Sequence, residues 1–231
     1  MTPIYLHGLP GSAAEQALPG WKIETLDRDA RSFAQLALRL PDGPLHLVGF
    51  SLGAPCALRL AALVPKKVAR LTLISAAAPL ELGDFLPHMA GASVFRMARS
   101  HAQLSALTTV QSTLARVSPA LLMKLLTRDA DPADRALFSE APTRRVVTQA
   151  ITEGLTAHRS VYLREMAAYV QPWAGHLPYI RCRVDLHHGT EDRWAPFAMS
   201  EALAEHLSNA TLHRHDGLGH YSTLAACEDL F

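Results

Sequence analysis

Ser51 stands between Gly49 and Gly53 in LHLVGFSLGAPCALRLAALVP, one small hydroxyl inside a mostly apolar run. Residues 49–53 match G-x-S-x-G where a strand-like segment, LHLVGF, meets a helix-like one, APCALRLAALVP. On such a turn a serine is held in a strained backbone conformation with its hydroxyl exposed. Bulky side chains two residues either side would clash, so glycines fit there. The chemistry this suits is nucleophilic attack through an acyl-enzyme, which needs a base to take the serine proton and an acid to orient the base. For this turn the partners are expected in the order acid, then histidine. The segment HHGTEDRWAP carries Glu191 and Asp192, and HDGLGHYS carries His220, each on a loop after a strand-like run.

Those loops can meet Ser51 only if the strands run parallel with their carboxyl ends on one edge. The chain has that rhythm. PIYLHG reads as a strand feeding a loop, and WKIETLD alternates Trp21, Ile23 and Thr25 with Lys22 and Glu24, as a half-exposed strand does. ARSFAQLALRLP places Phe33, Leu36, Ala37 and Leu40 at helical spacing and stops at Pro41. ARLTLISAA is a further strand. From Glu81 to Pro178 only helical patterns occur, with Ser118-Pro119 and Asp131-Pro132 each placing a capping residue before a first-turn proline. The rhythm returns with strand CRVDLHHG, helix AMSEALAEHLS, strand ATLHRHD and a last helical stretch, YSTLAACEDLF. The expected fold class is α/β, a mostly parallel sheet of about six strands with helices on both faces. Residues 1–80 and 179–231 form its core, and residues 81–178 a helical insertion.

Bulk properties exclude several functions. A formal charge of +1, with no Lys/Arg run beyond two residues, favours neither nucleic acid nor an anionic membrane as partner. Of 231 residues 49% are hydrophobic, as in an ordinary globular domain. The longest apolar stretch, Leu47 to Leu58, falls short of the roughly 20 residues that span a bilayer. MTPIYLHGLPG has no basic n-region of a signal peptide. Three cysteines without a C-x-x-C pair argue against a disulfide framework. A soluble, cytoplasmic protein is expected, as monomer or homodimer.

The segments HGLPGS, GFSLGAP, HGTEDRWAP and GLGHYS together resemble the α/β-hydrolase superfamily over nearly the full chain. The resemblance implies a serine hydrolase similar to small bacterial carboxylesterases, cleaving a small-molecule carboxylic ester or thioester without a cofactor. Ser51, His220 and Asp192 would be its triad, with Asp192 preferred over Glu191 by the family's G-x-x-D spacing from Gly189. It also implies an oxyanion hole from the N–H groups of Leu9 and Leu52, each donor worth about 2.7–4 kcal/mol in comparable enzymes. Residues 81–178 would be a lid. Family members usually carry two further strands before the His-Gly loop, which leaves WKIETLD as an edge where Lys22 and Glu24 guard against pairing.

Other readings compete. Some members draw their acid from the region of Glu81 and Asp84. The same triad serves carbon–carbon bond hydrolysis, lyase chemistry and acyl transfer, and some relatives only bind ligands. Basic residues in the pocket would favour a polyanionic substrate, and Arg96, Arg99, Arg144, Arg145, Arg159 and Arg164 are the candidates. Among twelve histidines, His187-His188 and the pair His213/His215 suggest a metal, but no third ligand falls at a recognised spacing, so none is expected. His7 is expected to shape its loop, and Cys56 to fill core. Arg183, Asp185 and His187 alternate along a strand that should be covered, which suggests a paired ionic network.

Overall fold

The computed structural model describes residues Met1–Phe231. Six parallel strands form one sheet in the order β2-β1-β3-β4-β5-β6. They are β1 (Thr2–Leu6), β2 (Glu24–Thr25), β3 (Leu45–Phe50), β4 (Val68–Ile74), β5 (Arg183–Gly189) and β6 (Ala210–His215). β3 is buried along its whole length because helices cover both its faces, and its sequence is correspondingly apolar. The register pairs Leu6 with Gly49, Gly49 with Leu73, Ile74 with His187 and Gly189 with His215. The strands therefore end at one level, and every loop leaving them opens on the same edge.

Helices α1 (Phe33–Leu38) and α2 (Gly53–Leu63) link the first strands, while α9 (Ala198–His206) and α10 (His220–Ala225) belong to the last part of the chain. Ser32 caps α1 by accepting the Gln35 N–H. Between β4 and β5 lie α3 (Ala92–Ala98), α4 (His101–Val117), α5 (Pro119–Leu126), α6 (Pro132–Ser139), α7 (Ala141–Leu155) and α8 (Arg159–Tyr169), with no strand among them. No helix is long and apolar enough to cross a membrane.

Two local expectations need correction. The strand expected across WKIETLD shrinks to Glu24–Thr25, which pairs with Ile4 and Tyr5. The side-chain amide of Gln16 bonds both the N–H and the carbonyl of Ile23, replacing the ladder there, and Trp21 packs edge-on against Tyr5 and Phe231. Asp131 caps α6 by accepting the Asp134 N–H, but the Ser118 hydroxyl makes no cap bond. Its N–H instead closes the end of α4 on the Leu114 carbonyl.

The charged residues on β5 have a physical account. Asp185 is buried and takes Arg70 at 2.9 Å, Arg183 at 2.8 Å and His213 at 3.3 Å. His187, on the same strand face, stacks on His213 with ring centroids 4.4 Å apart. Burial, with His213 and His215 adding, pushes His187 down to about 4.

Buried and half-buried polar contacts fasten the helical segment to the sheet. Arg28, after β2, pairs with Glu165 of α8 at 2.9 Å and donates to the His7 carbonyl at 2.9 Å. Arg164 donates to the carbonyls of Arg28 and Ala30. Tyr169 donates to the Ala78 carbonyl at 2.8 Å, and Ser12 to Glu153 of α7. Removing one partner of a buried ion pair strands the other charge. Glu165→Ala should cost about 3–5 kcal/mol of unfolding free energy in urea titration. Glu165→Gln, which keeps an acceptor for Arg28, should cost less.

Candidate active site

The turn after β3 is built by exclusion. Ser51 has φ 54°, the left-handed region where a non-glycine residue is strained. Its N–H is fixed on the Ile74 carbonyl at 2.9 Å, and its own carbonyl accepts from Ala54 at 3.1 Å. A Cβ on Gly49 would sit 2.8 Å from the Ala54 Cα, and one on Gly53 only 2.0 Å from the Leu6 carbonyl oxygen. Both glycines are therefore required by backbone contact, and α2 starts hard against the end of β1.

Ser51 and His220 line one cavity of about 30 Å³, together with Leu9, Leu126, Ile151 and Trp194. Asp192 lies behind His220, its Oδ2 2.7 Å from His220 Nδ1. Asp192 Oδ1 accepts the N–H groups of Trp194 and Ala195 at 2.8 and 2.9 Å. Glu191 is exposed and makes no contact with His220, and Glu81 accepts the Trp173 and Ala174 N–H groups instead. Leu52 is buried one residue beyond Ser51, outside the cavity lining, and its N–H and that of Leu9 take no acceptor among the turn and loop bonds. His7 Nδ1 donates to the Gly8 carbonyl at 2.8 Å and its Nε2 accepts from Arg28 at 3.2 Å, so it shapes the loop that carries Leu9.

The electrostatics push the Asp192 carboxyl and the His220 imidazole in opposite directions. Burial would raise the Asp192 carboxyl, but His220 and the bond from His188 outweigh it and hold it well below the usual carboxylate range. Burial would depress His220, but the Asp192 carboxylate outweighs it and holds the imidazole above its ordinary value.

Four supporting residues escaped the sequence reading. His188 Nε2 lies 2.7 Å from the Ala195 carbonyl, which can only accept, so that nitrogen carries the proton and also faces Asp192 Oδ2 at 3.3 Å. Its Nδ1 then accepts from the Ser200 hydroxyl at 2.6 Å. Asp134 of α6 accepts the N–H groups of His220, Tyr221 and Ser222 at 3.1, 3.1 and 2.8 Å, which fixes the first turn of α10. Ser75, also left-handed at φ 47°, donates its hydroxyl to the His220 carbonyl at 3.1 Å. Glu15 lies fully buried under the His-Gly loop, accepting from Gly8 N–H and the Tyr5 hydroxyl at 2.9 Å each. Only His188 and Glu15 left a local trace, as the second of a histidine doublet and as an acid within a loop of small residues.

Residues 9–224 match the family model described as alpha/beta hydrolase fold. The chain belongs to the α/β-hydrolase family. A comparison with curated protein sequences finds no match. Solved structures share the fold at low identity. An esterase from Exiguobacterium antarcticum is 18% identical, over 100% of this chain and 89% of its own, with a TM-score of 0.65. A thermophilic esterase from Thermogutta terrifontis is 17% identical, over 100% and 86%, with a TM-score of 0.64. A meta-cleavage product hydrolase from Pseudomonas fluorescens is 16% identical, over 100% and 88%, with a TM-score of 0.63.

The Glu15 carboxyl gives this site a pH signature. Burial pushes it from 4.5 up to about 7, against the pull of the Gly8 N–H, Tyr5 and Arg28. A carboxyl raised in the folded state holds its proton more tightly folded than unfolded. Its contribution is therefore present at low pH and lost as pH rises from 4.5 through 7. Over that window Glu15 should remove roughly 3 kcal/mol of stability. Glu15→Gln should flatten this slope in urea unfolding curves taken across the same range. An unchanged slope in the variant assigns it to other groups.

Proposed function

We propose that the protein is a serine hydrolase that cleaves a small carboxylic ester or thioester through an acyl-enzyme on Ser51. The observation that carries this reading is the 2.7 Å contact of His220 with Asp192, with His220 and Ser51 lining one cavity. Ser51 Oγ attacks the carbonyl carbon while its proton passes to His220 Nε2. Asp192 holds the other ring nitrogen as N–H and stabilises the imidazolium. The negative oxygen of the tetrahedral intermediate is received by the free N–H groups of Leu9 and Leu52. His220 then gives its proton to the departing alkoxide or thiolate. A water attacks the acyl-serine, its proton goes to His220, and collapse releases the acid and restores Ser51.

The cavity also bears on the substrate. About 30 Å³ has room for about one or two water molecules, which suits a short acyl group. Leu126 and Ile151, contributed by α5 and α7, close it from the helical segment, so that segment serves as the lid. A carbon–carbon hydrolase or lyase working on a polyanion would need basic side chains here. None of Arg96, Arg99, Arg144, Arg145, Arg159 or Arg164 lines the cavity, and Arg144, Arg159 and Arg164 bond backbone carbonyls elsewhere.

A fluorophosphonate probe should label wild type at Ser51 and leave Ser51→Ala unlabelled, and absence of labelling in folded wild type would sink the enzyme reading. The base must be neutral to act, so the rate should rise as pH passes the elevated His220 value, above the ordinary 6.5. Asp192→Asn should cut kcat by about 10⁴-fold and move that limb to lower pH, whereas Glu191→Gln should change neither. Among p-nitrophenyl esters, acetyl and propionyl should outpace decanoyl. Leu126→Ala should shift the preference toward longer chains if the cavity wall sets it.

A further inference from the structure

A second cluster of chemistry-bearing side chains lies on the opposite face of β5 from His188. His187 of β5 and His215 of β6 approach with Nδ1 and Nε2 3.2 Å apart. Cys227, just after α10, closes the group: one ligand atom from each of the three residues lies within 4.8 Å of the others. They line a cavity of about 90 Å³ with Asp229, and it shares no lining residue with the cavity at Ser51.

We infer that His187, His215 and Cys227 form a metal site that takes one zinc ion. Two nitrogens bound to tetrahedral zinc at about 2.0–2.1 Å stand about 3.3–3.4 Å apart, close to the separation already present. Neutral imidazole and thiolate are the ligands that favour zinc over magnesium or calcium. The sulfur needs a contraction of its longer separations, which α10 can supply because it is one short helix followed by a terminal turn. Three protein ligands leave a fourth position for water or for the exposed Asp229 carboxylate, which lines the same cavity. His213, stacked on His187 and bonded to Asp185 at 3.3 Å, holds the His187 ring in place. On binding, the S–Zn bond forms as the Cys227 thiol gives its proton to solvent; the N–H···N hydrogen bond between the two imidazoles gives way to two N–Zn bonds as the donor ring moves its proton, through solvent, to its other nitrogen. The ion would tie β5, β6 and the end of α10 together. His187 precedes Asp192 by five residues and His215 precedes His220 by five, so the tie acts on the roots of both loops. The assignment does not rest on the hydrolase reading.

The test uses the full chain, stripped of metal by a chelator and titrated with zinc against a chromophoric competitor. One zinc per chain is expected, with a rise in Tm. Cobalt(II) in its place should give tetrahedral d–d bands and a thiolate-to-cobalt charge-transfer band. His215→Ala should weaken zinc by more than about 100-fold, the upper end of the loss when only an outer partner is removed. Cys227→Ser should abolish the charge-transfer band, and Cys182→Ser should keep it. Zinc that fails to bind stoichiometrically, or binds equally to wild type, His215→Ala and Cys227→Ser, overturns the proposal. If Cys227→Ser does not fold, a wild-type cobalt spectrum without the thiolate band overturns it equally.

Discussion

The molecule is organised around a backbone contact that admits no side chain. Gly53, opening α2, lies so close to the end of β1 that an added Cβ would reach the Leu6 carbonyl, and Gly49 is pressed as closely by Ala54. That contact forces the chain through the left-handed conformation at Ser51, and the twist lifts the hydroxyl clear of the sheet edge. The same close approach sets the His7–Leu9 loop beside Ser51, because that loop begins where β1 meets α2. The parallel register then brings the loops of β5 and β6 to the same level. Position at this edge follows from main-chain geometry before any functional side chain is considered.

Side chains from the helical segment complete what the sheet begins. Asp134 fixes the first turn of α10 and so the backbone of His220. Glu153 reaches the His-Gly loop at Ser12, and Glu165 reaches it through Arg28 and His7. Three acids of one segment thus brace the two loops that meet Ser51. Motion of that segment relative to the sheet would be felt first at His220 and Leu9. Burial of Asp134 and Glu165 makes the coupling costly to break: each must lose its partners in a medium poor in water.

What the sequence made legible was local. G-x-S-x-G, the strand-to-helix change around it, and the acid and histidine after later strands can each be read from neighbours in the chain. So could the absence of strands between β4 and β5. What it hid depends on partners far apart in sequence. Gln16 shortens β2 by satisfying Ile23 with a side chain, and alternation alone could not reveal that. Asp134 meets residues more than eighty positions away, and Arg28 meets Glu165 across 137. Asp131-Pro132 read correctly as a helix start, but not that the next acid would serve a different helix. The Ser118 cap failed for the opposite reason, since α4 and α5 abut and its backbone was already committed.

The histidine doublet in β5 shows how strand geometry divides labour. Successive side chains on a strand point to opposite faces, so His187 and His188 cannot share one site. His188 turns toward α9, where Ser200 fixes its tautomer and its N–H supports Asp192. His187 turns toward β6 and the chain after α10, where it joins His213, His215 and Cys227. A spacing rule along the chain fails here because the third ligand follows a strand and two helices after His187, brought in by the course of the chain after His220. The two faces are linked at the loop roots: whatever fixes His187 and His215 fixes the ends of β5 and β6, from which the Asp192 and His220 loops depart. A tie on one face of β5 can therefore steady the loops that carry Asp192 and His220 without touching either residue.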